Sequence, residues 1–258
     1  YMNDSQRGTV WEESIIHCPP AVQLVALSAT VANAGQLTDW IEKVHGPTTL
    51  VMSDYRPVPL QFSFCSAKGL HPLLNDAGTG LHPNCKVWRA PKGYKRKGRS
   101  AKPPQPEPPP ISFVVAQMAD REMLPAIYFI FSRRGCDKAV RDLGVQCLVS
   151  RPEQARIQKR LAAYTQANPE AVRDGIHADA LLRGIAAHHA GVLPAWKELI
   201  EELFQQGLVK VVFATETLAA GINMPARSTV IAALSQRTER GHPPLMGSAL
   251  LQMAERDM

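Results

Sequence analysis

The sequence of 258 residues contains no run of about 20 apolar residues, the length that a membrane-spanning helix needs. We therefore predict that no segment crosses a membrane. Aromatic residues make up only 6% of the chain, which argues against a surface of stacked aromatic side chains. The five cysteines form no CxxC or CxH pair, so we expect neither a disulfide framework nor a metal site.

Acidic residues are absent from residues 86–102, a segment that is rich in lysine and arginine. Its eight basic residues include Lys95, Arg96, Lys97 and Arg99, and without the eight the net charge would change from +6 to −2. The basic character of the protein is therefore concentrated in this segment. Two interpretations remain open, a solvated segment and a contact with the phosphate backbone of a nucleic acid.

Short apolar runs rich in valine and isoleucine alternate with helical patterns, which predicts an α/β fold with a parallel sheet. The predicted strands are residues 22–27, 127–131, 185–188, 209–213 and 229–234. Residues 194–206 predict a helix, because apolar side chains recur there at helical spacing between Pro194 and Gly207. Residues 61–110, between the two α/β parts, show little periodicity and end in a proline-rich stretch.

Polar residues follow three of the predicted strands, at the points where ligands gather in open α/β sheets. Ser28 and Thr30 follow the first strand, Ser132 and Arg133 the second, and Thr215 the fourth. A hydroxyl at the end of a strand can also cap the following helix, so this alternative remains open for each of them. The repetition of the pattern favours a ligand-binding edge.

An ordered series of motifs resembles those of the Ski2-like DExH-box RNA helicases of superfamily 2. Residues 27–30 (LSAT) resemble motif III, residues 129–136 (FIFSRRGC) motif IV, and residues 213–226 (FATETLAAGINMPA) motif V. Further stretches that fit the family are residues 7–13, 56–60 and 188–191. Within the family, residues 124–137 and 184–227 are most similar to the chloroplast members of plants and algae.

The resemblance implies a fold of RecA-like parallel sheets. Residues 1–60 would be the end of a first RecA-like domain, residues 61–110 an inserted basic and proline-rich linker that is partly disordered, and residues 111–258 most of a second RecA-like domain. The implied enzyme is an ATP-dependent RNA helicase, with ATP and Mg²⁺ as cofactors and RNA as its partner. The implied location is the chloroplast, and the unpaired cysteines in any case favour a reducing compartment.

The resemblance also assigns roles to individual residues. Ser28 and Thr30 would couple ATP hydrolysis to domain closure, and Arg256 would approach the phosphates of the nucleotide. Gly221 and Asn223 would face the nucleotide. The expected nucleic-acid contacts are Thr215, Arg133, His189, Lys95, Arg96, Lys97 and Arg99.

His188 and His189 are adjacent at the end of a predicted strand. Successive strand residues point to opposite faces of a sheet, so the two imidazoles cannot hold one ligand together. We expect one of them to be packed and the other to lie near the RNA.

The chain departs from the family pattern in two places. It contains no GxxxxGK[ST] loop to cradle phosphates, and the acidic box that holds magnesium would precede Tyr1. The region of motif VI reads QMAERDM, with Glu255 where the family has glycine. We expect a piece of a longer helicase that does not hydrolyse ATP alone. The alternatives are a non-catalytic RNA-binding module that uses the basic linker, and a DNA helicase or translocase.

Overall fold

The computed structural model describes residues 8–28, 33–53, 55, 59–85, 107–169, 175–219, 224–235 and 244–254. The chain divides into two compact units. The first consists of Tyr1–Pro59 with Met246–Gln252, and the second of Leu60–Leu245 with Met253–Met258. Among the helices in the described part of the chain, none is long and apolar enough to cross a membrane.

The first unit contains two helices, α1 (Gly8–Ile16) and α2 (Ala34–Val44). α2 is amphipathic and buries Ile41. A ring nitrogen of His45, which follows α2, lies 3.0 Å from the carbonyl oxygen of Val22. This hydrogen bond attaches the segment after α1 to the end of α2.

The strand predicted at residues 22–27 is not formed, so this prediction is wrong. The segment has no strand hydrogen bonds, and the side chains of Val25 and Leu27 are 76% and 91% exposed. A strand needs a neighbour to complete its ladder of hydrogen bonds. None of the described residues of the first unit forms a strand. An apolar run without such a neighbour remains irregular.

The second unit begins with an antiparallel hairpin of β1 (Ser63–Ser66) and β2 (Gly69–Pro72). β2 contacts the next helix, α3 (Ile111–Ala119), and Cys65 of β1 packs against the core of the unit. The hairpin lies inside the range 61–110, so part of this range is attached to the folded unit.

Four parallel strands form the central sheet of the second unit. They are β3 (Ala126–Phe129), β4 (Ile185–His188), β5 (Val211–Ala214) and β6 (Ser228–Ile231), in the order β4-β5-β3-β6. Every residue of β3, β4 and β5 is buried, whereas those of the edge strand β6 are half-buried. The predicted α/β class with a parallel sheet is confirmed, as are four of the five predicted strands to within about three residues.

Helices cover both faces of this sheet. α3, α4 (Arg133–Asp142) and α6 (Gly175–Leu181) share one apolar cluster with alternate residues of β3, β4 and β5. α7 (Pro194–Gln205) contacts β4, and Trp196 of α7 packs against Tyr164 of α5 (Arg151–Ala167). The last helix in the described part of the chain is α8 (Gly247–Ala254), most of which belongs to the first unit. Burial on both faces explains why the strands have continuous apolar runs.

The helix predicted at residues 194–206 is confirmed as α7. Pro194 is its first residue, where the missing backbone N–H costs nothing. Gly207 follows the helix at a φ of 67°, which favours glycine. The buried residues of α7 include Trp196, Leu199, Ile200 and Leu203, as the spacing predicts.

An ion pair attaches the start of α5 to the start of β5. Glu153 Oε1 accepts a hydrogen bond from Lys210 Nζ at 2.7 Å. Its Oε2 accepts from the backbone N–H and the hydroxyl of Ser150, each at 2.8 Å, which caps α5. The bond from Lys210, followed by those from Ser150, lowers the pKa of Glu153 from 4.5 to about 2. The pair lies at the amino ends of the strands.

Candidate functional site at the carboxyl edge of the sheet

The parallel register brings the carboxyl ends of β3, β4 and β5 to one edge of the sheet, here called the carboxyl edge. Phe129, Ala214 and His188 are aligned across the three strands. The residues that follow them directly include His189 and Thr215, each one position beyond the end of its strand, β4 and β5 respectively. This is the edge at which open α/β sheets bind ligands.

α4 begins at this edge, directly after β3. The Ser132 hydroxyl accepts a hydrogen bond from the backbone N–H of Gly135 at 3.0 Å, so Ser132 caps the helix. A Cβ on Gly135 would lie 2.6 Å from the Ser132 hydroxyl and 2.7 Å from a methyl of Ile130. The cap therefore requires glycine here. Arg133, the first residue of α4, is exposed.

His188, the last residue of β4, is buried against α7. Its Nε2 lies 2.7 Å from Glu201 Oε1. Burial lowers the pKa of His188 below its usual value of 6.5, and the hydrogen bond that the ring donates to Glu201 opposes this effect. His188 is therefore a neutral core imidazole at neutral pH.

His189 points to the other face of the sheet and hydrogen-bonds with both ring nitrogens. Nε2 lies 2.9 Å from Asp137 Oδ1, and Nδ1 accepts from the backbone N–H of Gly191 at 3.1 Å. Since Nδ1 accepts, the proton of the neutral ring is on Nε2 and is donated to Asp137. The two adjacent histidines thus contact different helices, as strand alternation predicts. Both are buried, at 4% and 6% exposure, so the packing expected of one of them is found for both.

A second imidazole, that of His177, also approaches the Asp137 carboxylate. His177 Nε2 of α6 lies 3.5 Å from the same Oδ1 that accepts from His189. About 29% of the Asp137 side chain remains exposed. Within the described ranges, no group of three or more His, Cys, Asp and Glu side chains could hold a metal ion.

The other predicted site residues divide into those that the structure describes and those that it does not. Thr215 is half-buried, and its carbonyl oxygen accepts from Leu218 at 3.0 Å within the short 3₁₀ turn Glu216–Ala219. Ser28 belongs to the first unit and is exposed. The residues that lie outside the described ranges are Thr30, Lys95, Arg96, Lys97, Arg99, Gly221, Asn223 and Arg256.

The sequence interpretation missed both carboxylates that hold the two histidines. Asp137 lies one turn after Arg133 in α4, and Glu201 lies in α7. Each carboxylate belongs to a helix that packs on the sheet, where an unpaired charge would be costly. The sequence shows that the two carboxylates lie within helical patterns, but it does not show which histidine each of them contacts.

A four-stranded parallel sheet, covered on both faces by helices and with polar residues along its carboxyl edge, is the architecture of a RecA-like helicase domain. No family model matches the chain. Three curated relatives each align with 99% of it. DExH-box ATP-dependent RNA helicase DExH15, chloroplastic, of Arabidopsis thaliana is 42% identical. ATP-dependent RNA helicase mtr4 of Schizosaccharomyces pombe is 33% identical, and Superkiller complex protein 2 of Homo sapiens is 36% identical.

Along 99% of its length the chain is similar to Ski2-like DExH-box helicases. It spans 25%, 25% and 22% of the length of these three relatives, respectively. The similarity therefore concerns about a quarter of a helicase of this kind.

Proposed function

We propose that this chain is part of an ATP-dependent RNA helicase and supplies one RNA-binding edge of it. The observation that carries the proposal is the carboxyl edge of the parallel sheet, where β4 and β5 end together directly before His189 and Thr215 and α4 begins with the exposed Arg133. The relatives named as RNA helicases support the same function. The activity of the whole protein is ATP hydrolysis coupled to RNA unwinding or remodelling.

RNA would bind this edge through its phosphates. The Thr215 hydroxyl would donate to one phosphate oxygen, and the Arg133 guanidinium would pair with another. Lys95, Arg96, Lys97 and Arg99 would add affinity that does not depend on sequence and that falls with salt. Lysine and arginine side chains donate hydrogen bonds and cannot accept them, which suits the binding of a polyanion such as RNA.

The nucleotide-dependent roles are proposals from the family motifs. Ser28 and Thr30 would couple hydrolysis to closure, Gly221 and Asn223 would face ATP, and Arg256 would approach its phosphates. The chemistry that ATP and Mg²⁺ supply is the transfer of the γ-phosphoryl group to water. The sequence holds no GxxxxGK[ST] loop, so we propose no phosphate cradle and no Mg²⁺ ligands within it.

The proposed organisation follows the same motifs. Residues 1–60 would end a first RecA-like domain, residues 61–110 would be an insertion, and residues 111–258 would form most of a second domain. We propose a chloroplast location, which the name of the Arabidopsis relative supports.

A binding assay on the 258-residue chain tests the proposed RNA edge. Fluorescence anisotropy with a single-stranded RNA probe is measured for the unmodified chain and for Arg133→Ala and Thr215→Val. Arg151→Ala is the matched control, because Arg151 is exposed at the start of α5, at the amino ends of the strands. We expect each edge variant to weaken binding, and Arg133→Ala to lower the salt dependence by about one phosphate contact.

Equal affinities for Arg133→Ala, Thr215→Val and Arg151→Ala would remove the carboxyl edge from the proposal. Stronger binding of a DNA probe of the same sequence would favour a DNA helicase instead. ATP turnover by the chain alone, with and without RNA, is measured in parallel. We expect none, because the phosphate-binding loop is missing from the sequence.

A further inference from the structure

We propose that Asp137 is a positioning residue, which holds Arg133 in place for RNA through His189 and the turn at Gly191. The inference rests on the proposed RNA function of this edge. Asp137 itself touches no RNA in this proposal. Its role is to connect the helix that carries Arg133 to the turn that follows β4.

The first step is the orientation of the His189 ring. Asp137 Oδ1 accepts from His189 Nε2 at 2.9 Å, and the opposite nitrogen, Nδ1, accepts from the backbone of Gly191 at 3.1 Å. A carboxylate is acceptor-only, so it selects the tautomer that has its proton on Nε2. Only that neutral tautomer leaves Nδ1 free to accept the Gly191 N–H. Asp137 therefore determines whether the second hydrogen bond can form.

The second step is the turn after β4. The Gly191 N–H donates to the ring, and the N–H of Val192 donates to the carbonyl oxygen of His189 at 3.0 Å. The His189 side chain is 6% exposed, so little water is available to replace a lost bond. Two hydrogen bonds thus fix the His189 ring and the turn relative to each other.

The third step is the contact between this turn and Arg133. A Cβ placed on Gly191 would lie 3.2 Å from two atoms of the His189 ring and 3.6 Å from Cδ of Arg133. The methylene stem of Arg133 therefore lies against the turn, and its guanidinium extends from there. Rotation of the ring or displacement of Gly191 would move the surface on which this stem rests.

The placement of Asp137 completes the connection. It lies on α4, one turn after Arg133, and both residues are therefore on the same side of the helix. α4 follows β3, and the Gly191 turn follows β4, two strands that are separated in the sheet by β5. The bond between Asp137 and His189 thus fixes two loops of the carboxyl edge relative to each other. His177, which also approaches Oδ1, helps to keep the carboxylate in place.

The tautomer is tested without RNA. Long-range ¹H–¹⁵N NMR of the histidine rings is recorded for the unmodified 258-residue chain, and we expect His189 to have its proton on Nε2. A proton on Nδ1 in the unmodified chain would overturn the proposal, and this measurement needs no variant. We expect Asp137→Asn to keep the tautomer, because its amide oxygen still accepts, and Asp137→Ala to lose it.

The effect on RNA is tested by anisotropy with a single-stranded RNA probe. Asp137→Ala is expected to weaken binding roughly two- to tenfold, the range for one lost hydrogen bond. Asp137→Asn removes the same charge but keeps an acceptor, so it should bind as well as the unmodified chain or better. Asp142→Ala is the matched control, since Asp142 lies on the same helix in an exposed pair with Lys138.

A double variant shows whether the effect passes through Arg133. If it does, Asp137→Ala has little further effect once Arg133→Ala is present, and the two losses are not additive. Additive losses, or an equal loss in Asp137→Asn and Asp137→Ala, would overturn the proposal. If Asp137→Ala does not fold, Gly191→Ala presses on the His189 ring and should weaken binding in the same non-additive way. The unmodified chain could bind no RNA and still have the His189 proton on Nε2. This result would refute the proposed function and not the hydrogen-bond geometry.

Discussion

The ion pair between Glu153 and Lys210 gives a stability prediction that can be worked out from its geometry. Replacing Glu153 by glutamine removes the charge but leaves an oxygen that can still cap α5 at Ser150. The variant therefore isolates the charge from the cap. We expect it to lower the free energy of unfolding of the second unit.

The magnitude follows from the pKa of Glu153, which is lowered from 4.5 to about 2. Such a difference corresponds to about 3 kcal/mol if water does not screen the pair. Part of this difference comes from the hydrogen bonds of Ser150, which glutamine can still accept. The side chains of Glu153 and Lys210 are 29% and 21% exposed, so screening by water reduces the remaining loss further, to about 1–2 kcal/mol.

The pH dependence has a defined sign. Because the folded pKa is lower than 4.5, the stabilisation is fully present above that value and is lost as the pH falls to about 2. Urea unfolding of the unmodified chain and of Glu153→Gln should thus give a difference near neutral pH that shrinks below about pH 4. Glu202→Gln is the control, because Glu202 pairs with Arg160 on the exposed surface and should change little at any pH. A difference for Glu153→Gln that is independent of pH would refute the assignment to charge.

Three further predictions concern the second unit. Gly135→Ala should lower the free energy of unfolding by about 1–3 kcal/mol in urea, because its Cβ would overlap the Ser132 hydroxyl. Glu201→Gln should lower the pKa of His188 further in an NMR titration, because the carboxylate opposes the effect of burial. Ile200→Ala should destabilise by about 2–5 kcal/mol in urea, because this fully buried side chain of α7 would leave a cavity.

Each of these predictions has an outcome that would contradict it. Gly35→Ala is the control for the first, since a Cβ on Gly35 meets nothing within 4 Å and the residue lies in a helix. It should be neutral or stabilising, and equal effects at Gly35 and Gly135 would argue against steric overlap. An unchanged or raised pKa of His188 in Glu201→Gln would show that Glu201 does not stabilise the charged ring. A loss below about 1 kcal/mol for Ile200→Ala would show that the core closes around the site.

The sheet could be predicted from the sequence because each buried strand lies in a continuous apolar run that polar residues follow. β4 has the predicted bounds, 185–188, and α7 has the predicted start at Pro194. Residues 22–27 have a similar composition, but the strand predicted there is not formed. Composition reports how apolar a segment is, and it does not report whether another strand lies beside it.

The side-chain connections at the two ends of the sheet could not be predicted in the same way. Asp137 and His189 are 52 positions apart, and Glu153 and Lys210 are 57 apart. Only the crossover from β3 to β4 and the register of the sheet bring such residues together. The adjacency of two histidines in the sequence predicted that they point apart, which is a property of any strand, but it contained no information on the carboxylate that each one meets.

The strand order has a consequence for how the chain is made. β3 lies inside the sheet, yet its partners on the two sides follow it by 85 and 102 positions, at Val211 and Ser228. At about 5–20 residues per second, a ribosome needs about 4–17 s to deliver the first of them. During that interval the four apolar residues of β3 have emerged without either neighbour. Newly made chains therefore expose for several seconds a strand that is buried in the folded protein, and early packing of α3 and α4 would shorten this exposure.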